Sequence, residues 1–192
     1  MSYIPLRVKN ISIKDDNLIL TVSFFEIRDE INEFIPKEYI FKLDEVMFVS
    51  LGYIRNVEEI KEDSFRISKM FKKMVSLGLS GEKKEKIFNL REEIILDIVI
   101  FREEYLFFRI DLTVFNYKDF LGEDFSFSSF INMRKFIHKL SNFLPQNKVD
   151  DIIFNFLSTN SLSKIQYFSS VYEFQDYLLS KVKGIYGKDT NS

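Results

Sequence analysis

The chain has 192 residues, 46% hydrophobic and 29% charged, with a net charge of −2. That balance excludes a disordered chain and a polycation built for nucleic acid, and the length suffices for a core without covalent staples. The absence of Cys removes disulfides, thiol nucleophiles, iron–sulfur clusters and thiolate zinc, and the single His, His138, removes any multi-His metal site within one chain.

In chain order, Ile4, Leu6 and Val8 alternate with polar positions, and Ile11 and Ile13 continue one residue out of phase. A bulge near Lys9 and Asn10 absorbs that slip. Lys14-Asp15-Asp16-Asn17 is turn chemistry, and Leu18, Leu20, Val22 and Phe24 form the return strand. Residues 29–37, acidic and containing Pro36, read as a loop. Tyr39, Phe41 and Leu43 restart the period of two, and residues 46–51 extend it past an irregularity at Asp44 and Glu45.

The period then changes. Ile67, Met70, Phe71 and Met74 fall at helical spacing, with Asp63 or Ser64 as cap and Gly78 as stop. A charged loop, residues 80–86, follows. Ile94, Leu96, Ile98 and Ile100 then line one face of a strand, and Leu106, Phe108, Ile110 and Leu112 line one face of the next. The register that keeps these sets together without opposing like charges sets Phe101 against Tyr105, Asp97 against Arg109 and Ile95 against Asp111. It places Asp97 and Arg109 on the face opposite the core.

Beyond Phe125 the pattern is helical. Phe130, Met133, Phe136, Ile137, Leu140 and Leu144 make one stripe, capped by Ser128 or Ser129 and stopped by Pro145. Val149, Ile152, Ile153 and Phe156 make a shorter one with Asn147 as cap. Ser170-Val171-Tyr172-Glu173 matches a capping box, and Val171, Phe174, Leu178, Val182 and Ile185 give the last stripe. Gly184 and Gly187 mark its end, and residues 164–168 suit strand or helix equally. The expected fold is α+β: an N-terminal antiparallel sheet of about five strands with one inserted helix, followed by three or four C-terminal helices. Gly122-Glu123-Asp124 is the seam between a β-rich part, 1–121, and a helical part, 122–192, sharing one core.

Candidate chemistry is sparse. Asp97, Arg109 and Asp111, with Glu93 and Glu103 nearby, form a polar cluster in which Asp97 and Asp111 are candidate Mg²⁺ ligands for phosphodiester cleavage. The plainer reading is a solvated ion pair worth about 0.2–1 kcal/mol. His138 lies off the apolar stripe and reads as an exposed helix residue. The glycine pairs Gly78/Gly81 and Gly184/Gly187 build no phosphate-binding loop, so no nucleotide or other cofactor is expected.

Charge is split along the chain. Residues 15–63 hold 13 acids against 5 bases, and residues 64–91 hold 8 bases against 2 acids. Arg66, Lys69, Lys72 and Lys73 lie off the apolar stripe of the first helix, and Lys83, Lys84 and Lys86 follow. This basic face suits an acidic protein partner or nucleic acid. Phe107, beside Asp97 and Arg109, suits an interface or a surface covered by the C-terminal helices. The chain therefore reads as a non-enzymatic protein-binding module of the inhibitor, immunity, counter-defence or accessory-subunit type. Nucleic-acid binding through residues 66–91 is the alternative, and a Mg²⁺-dependent phosphodiesterase the second. No membrane span or signal peptide is visible, so the expected location is the cytoplasm. The lack of Ala and Trp beside 22 Phe points to an AT-rich genome. Oligomeric state stays open.

Overall fold

The computed structural model describes residues 3–28, 31–59, 88–112, 117–120, 122–125, 130–159 and 161–189, with backbone alone at several strand ends and at the last helical turn. Six strands form one sheet: β1 (Leu6–Lys14), β2 (Asn17–Arg28), β3 (Ile31–Lys42), β4 (Val46–Glu59), β5 (Phe88–Phe101) and β6 (Tyr105–Asp111). A separate pair, β7 (Tyr117–Phe120) and β8 (Glu123–Phe125), precedes three helices, α1 (Phe130–Ser141), α2 (Asp151–Ser158) and α3 (Val171–Asp189). The α+β class holds, with six strands in the main sheet rather than about five. The inserted helix, with Arg66, Lys69, Lys72 and Lys73, and the loop carrying Lys83, Lys84 and Lys86 lie outside the described residues. No helix among the described residues is long and apolar enough to cross a membrane.

The strand order is β3-β2-β1-β6-β5-β4. All neighbours are antiparallel except β1 and β6, so the sheet is mixed rather than purely antiparallel. β1 serves both halves of the sheet. Leu6 and Arg7 pair with Phe108 and Arg109, and from Val8 onward the strand pairs with β2. The bulge between Val8 and Asn10 sits where the partner changes, and the bend it introduces turns one half against the other. Asp15 and Asp16 both have positive φ, 49° and 60°, as a two-residue hairpin turn of the primed type requires. Asp tolerates that left-handed region better than most side chains.

Residues 31–37, expected as part of a loop, are strand, and Asp29 and Glu30 lie outside the described residues. β3 starts at Ile31 and runs through Pro36, which pairs with Ser23. Pro is tolerated there because β3 is an edge strand, where an N–H facing away from the sheet is dispensable.

The sheet is strongly curled. β3 and β4 are its two edges, yet only a 3-10 turn, Leu43–Glu45, joins them. Tyr39 and Phe41 of β3 meet Phe108 of β6 at ring distances of 5.3 and 5.4 Å. Three flat strand spacings would separate those strands by about 14 Å. Arg102, at the β5–β6 turn, clasps the junction: it bonds Glu45 at 2.5 Å and donates to the Ile40 carbonyl at 2.9 Å. The β4 edge is covered by Val149 and Phe168, each in a parallel bridge.

The first sheet face carries Val49, Leu51, Ile94, Leu96, Ile98, Ile100, Phe108 and Ile110, all buried. They share one core with Phe136, Ile137 and Leu140 of α1 and Ile152, Ile153 and Phe156 of α2. The expected stripes of α1 and α2 therefore face inward. The register expected for β5 and β6 is present, including Asp97 opposite Arg109.

Three local readings need correction. The cap of α2 is Asp150, not Asn147: a 3-10 turn takes residues 146–148, and the Asp150 side chain accepts from the Ile152 N–H. In the capping box of α3, the Ser170 hydroxyl accepts from the Glu173 N–H, but the Glu173 carboxylate reaches back to Ser169 instead of Ser170. α3 also runs through Gly184 and Gly187 to Asp189 instead of ending there.

α3 covers the second sheet face. Leu178 and Val182 pack with Phe48 and Val99, and Phe174 lies on Gly52. A Cβ at Gly52 would stand 2.8 Å from the Phe174 ring, closer than van der Waals contact allows. Gly52→Ala is therefore expected to cost about 1–3 kcal/mol by overpacking. Combining it with Phe174→Leu should recover part of that loss in a urea-unfolding cycle.

Candidate functional site

The chemistry-bearing residues of β5 and β6 lie on the second face. Asp97 is fully buried and Arg109 is 9% exposed, so the pair is interior and not the solvated outer pair expected from the strand pattern. α3 and Tyr3 cover it. The contact is bidentate: Arg109 Nε donates to Asp97 Oδ1 at 2.7 Å and Nη2 to Oδ2 at 2.6 Å. The Tyr3 hydroxyl donates to the same Oδ2 at 2.7 Å. Planar guanidinium and carboxylate match edge to edge, which is the strongest arrangement for such a pair.

The electrostatics follow from this enclosure. Burial, then the adjacent Asp97 carboxylate, push the Tyr3 phenol far above its ordinary value, so Tyr3 remains a donor. Burial works against the Arg109 charge, but the hydrogen-bonded Asp97 outweighs it and the guanidinium pKa is raised. Phe107, on the same face as Arg109, is half-buried and stacks on the Tyr3 ring at 3.8 Å with planes 16° apart. The Gln175 side-chain amide, buried on α3, donates to the Tyr3 carbonyl at 3.1 Å, while its Oε1 has no hydrogen-bond partner among the described residues.

A second polar cluster lies one strand away. Ser50 pairs with Asp97 across β4 and β5, and its hydroxyl donates to Asp150 Oδ2 at 2.5 Å. The Tyr177 hydroxyl reaches both Asp150 oxygens, at 2.9 and 3.0 Å. One carboxylate thus ties β4, the start of α2 and the middle of α3. Burial, then Asp150, raise the Tyr177 phenol well above its usual value, so it too stays a donor.

Asp111 is half-buried opposite Ile95, on the same sheet face as Arg109. Among the described residues, no group of three or more His, Asp and Glu side chains is placed to hold a metal ion. Asp97 has both oxygens engaged by donors and no solvent access, so a phosphodiester cannot reach it in this arrangement. His138 is exposed on α1, its Nδ1 3.4 Å from the Asn142 amide, and lines an open hollow of about 280 Å³ with Ile131, Arg134, Lys135 and Leu157.

Sequence reasoning missed Tyr3, Ser50, Asp150, Gln175 and Tyr177. Ser50 carried a signal, as a lone hydroxyl inside the apolar run 46–51 that needs a buried partner. Asp150, just ahead of Ile152 and Ile153, also fits an N-cap. Nothing local marked Tyr3, whose partner stands 94 residues away. Comparison with protein-family models, with curated proteins and with solved structures finds no match.

Proposed function

We propose that this chain is a non-enzymatic protein-binding module of the inhibitor, immunity or accessory-subunit kind. The observation that carries this reading is the reach of one hairpin. β2 and β3 stay paired from Asn17 and Lys42 out to Arg28 and Ile31, whereas β1 pairs with β2 only as far as Val22. Residues 23–28 and 31–36 therefore run on as a two-stranded ribbon that pairs with no other described strand. Such a ribbon is marginal alone, and backbone edges that no described strand pairs are templates for an added strand. Its sequence is rich in large apolar residues, Phe24, Phe25, Ile27, Ile31, Phe34 and Ile35, beside Glu26, Asp29, Glu30 and Glu33. That mixture favours a partner with a basic rim around an apolar strand. The sealed Asp97–Arg109 pair supports the same reading, because the residues expected to offer metal-ligand chemistry serve to hold β5, β6 and the segment leading into β1 together.

The test shortens the ribbon. Replacing residues 24–35 by Asn-Gly leaves Ser23 and Pro36 to close a tight hairpin. The shortened chain is expected to keep its far-UV circular dichroism and to lose a stoichiometric protein that the intact chain captures from its host. Equal capture by both forms, or no stoichiometric protein with the intact chain, overturns the reading. Retardation of DNA or RNA that falls steeply with salt and is lost on reversing Lys69, Lys72 and Lys73 to Glu would favour the nucleic-acid alternative.

A further inference from the structure

Residues 3–5 lie outside any strand or helix, and Ile4 is 94% exposed. Tyr3 is the anchor. Its ring stacks on Phe107, its hydroxyl donates to Asp97, and its carbonyl accepts from Gln175. The groups that receive it belong to rigid elements. Asp97 and Phe107 sit within the paired region of β5 and β6, Asp97 is also clamped by Arg109, and Gln175 is buried on α3. The pocket is therefore built without help from the segment that fills it.

The fit is also incomplete. Gln175 offers an amide whose NH2 group donates and whose oxygen accepts, the pattern that matches the carbonyl and N–H of one extended residue. The carbonyl of Tyr3 takes one N–H, and Oε1 stays buried without a partner among the described residues. A buried acceptor left unmade is destabilising, so an occupant that also presents an N–H is preferred.

We propose that the Phe107–Asp97–Gln175 pocket is a tyrosine-recognition site that Tyr3 plugs in cis, and that an extended segment of the protein partner, carrying a tyrosine, displaces Tyr3 from it. Phe107 recognises the ring, Asp97 the hydroxyl, and Gln175 the carbonyl and N–H of the tyrosine itself, which point to one side of an extended residue. Displacement frees the segment before β1 and opens the face beneath α3. This deepens the protein-binding reading and rests on it for the nature of the occupant. The two fail separately, because the pocket is tested with a small tyrosine amide and no partner.

The experiment uses the full chain with Tyr3→Gly and the probe N-acetyl-L-tyrosinamide. The probe is expected to raise the Tm of the variant saturably, by about 3–6 °C at ten times its Kd. p-Cresol, which lacks the amide, should bind more weakly, and N-acetyl-L-phenylalaninamide, which lacks the hydroxyl, should give no shift. Equal shifts with the tyrosine and phenylalanine amides, or none with either, overturn the proposal. Should Tyr3→Gly not fold, Tyr3→Phe keeps the stacking and loosens the plug. The tyrosine amide should then shift the Arg109 Nε–H resonance saturably, and an unmoved resonance counts against the site. A wild-type dimer that disappears in Tyr3→Gly would make the occupant a second copy and overturn the assignment to a foreign partner.

Discussion

Asp97→Asn is expected to destabilise the protein by about 3–5 kcal/mol, the penalty for leaving one member of a buried ion pair without its counter-charge. Arg109 stays charged and 9% exposed, and no longer faces a carboxylate. The Tyr3 hydroxyl meets an amide in place of a carboxylate, so the segment before β1 loosens as well. Urea unfolding reads the effect as a lower midpoint at an unchanged m-value. Replacing all three partners together, Asp97→Leu with Arg109→Met and Tyr3→Phe, should return most of the loss, because apolar side chains of similar volume strand neither a charge nor a hydroxyl. A loss under about 1 kcal/mol for Asp97→Asn would fit a solvated pair and would contradict the enclosure.

Asp150→Ala is expected to cost about 2–4 kcal/mol. The cap of α2 contributes about 1 kcal/mol of this. The rest comes from the hydroxyls of Ser50 and Tyr177, which both lose their acceptor, Ser50 in a fully buried position. Asp150→Asn should cost less, because Asn caps as well as Asp and still offers one oxygen. Thermal unfolding followed by circular dichroism separates the two variants. Equal losses for Ala and Asn would mean that the charge of Asp150, and not its hydrogen-bond geometry, carries the effect.

Much of the fold could be read from local pattern. The register of the hairpin 94–112 was legible, down to Asp97 opposite Arg109, because strict alternation on both strands and one charge rule leave a single register. The bulge after Val8 was legible as a slip of one residue in an apolar alternation. The helical stripes of 130–140 and 171–185 were legible for the same reason, although the first of these helices ends at Ser141, ahead of the stop expected at Pro145.

What escaped was set by distant residues. Pro36 reads as a loop signal, and only the place of β3 at the sheet edge permits it in a strand. The parallel pairing of β1 with β6 joins Leu6 to Phe108, and no local pattern encodes it. β7 and β8 hold 4 and 3 residues, too few for a period to emerge.

The burial of Asp97 was within reach. Its same-face neighbours Ile95 and Val99 are apolar, and a strand apolar on both faces is covered on both faces. Tyr3 and Gln175, which complete the site from the two ends of the chain, have no such signature in the sequence around them.

The central claim is that α3 and Tyr3 seal the Asp97–Arg109 pair inside the molecule. Exchange of the Arg109 Nε–H with solvent, followed by nitrogen-edited NMR at neutral pH, tests it most directly. Arg55, whose side chain is 45% exposed, provides the internal reference. The enclosure predicts a sharp Arg109 resonance that outlasts that of Arg55 by orders of magnitude and collapses in Tyr3→Gly. Exchange of Arg109 as fast as that of Arg55 would contradict the enclosure, and with it the structural role assigned to the pair.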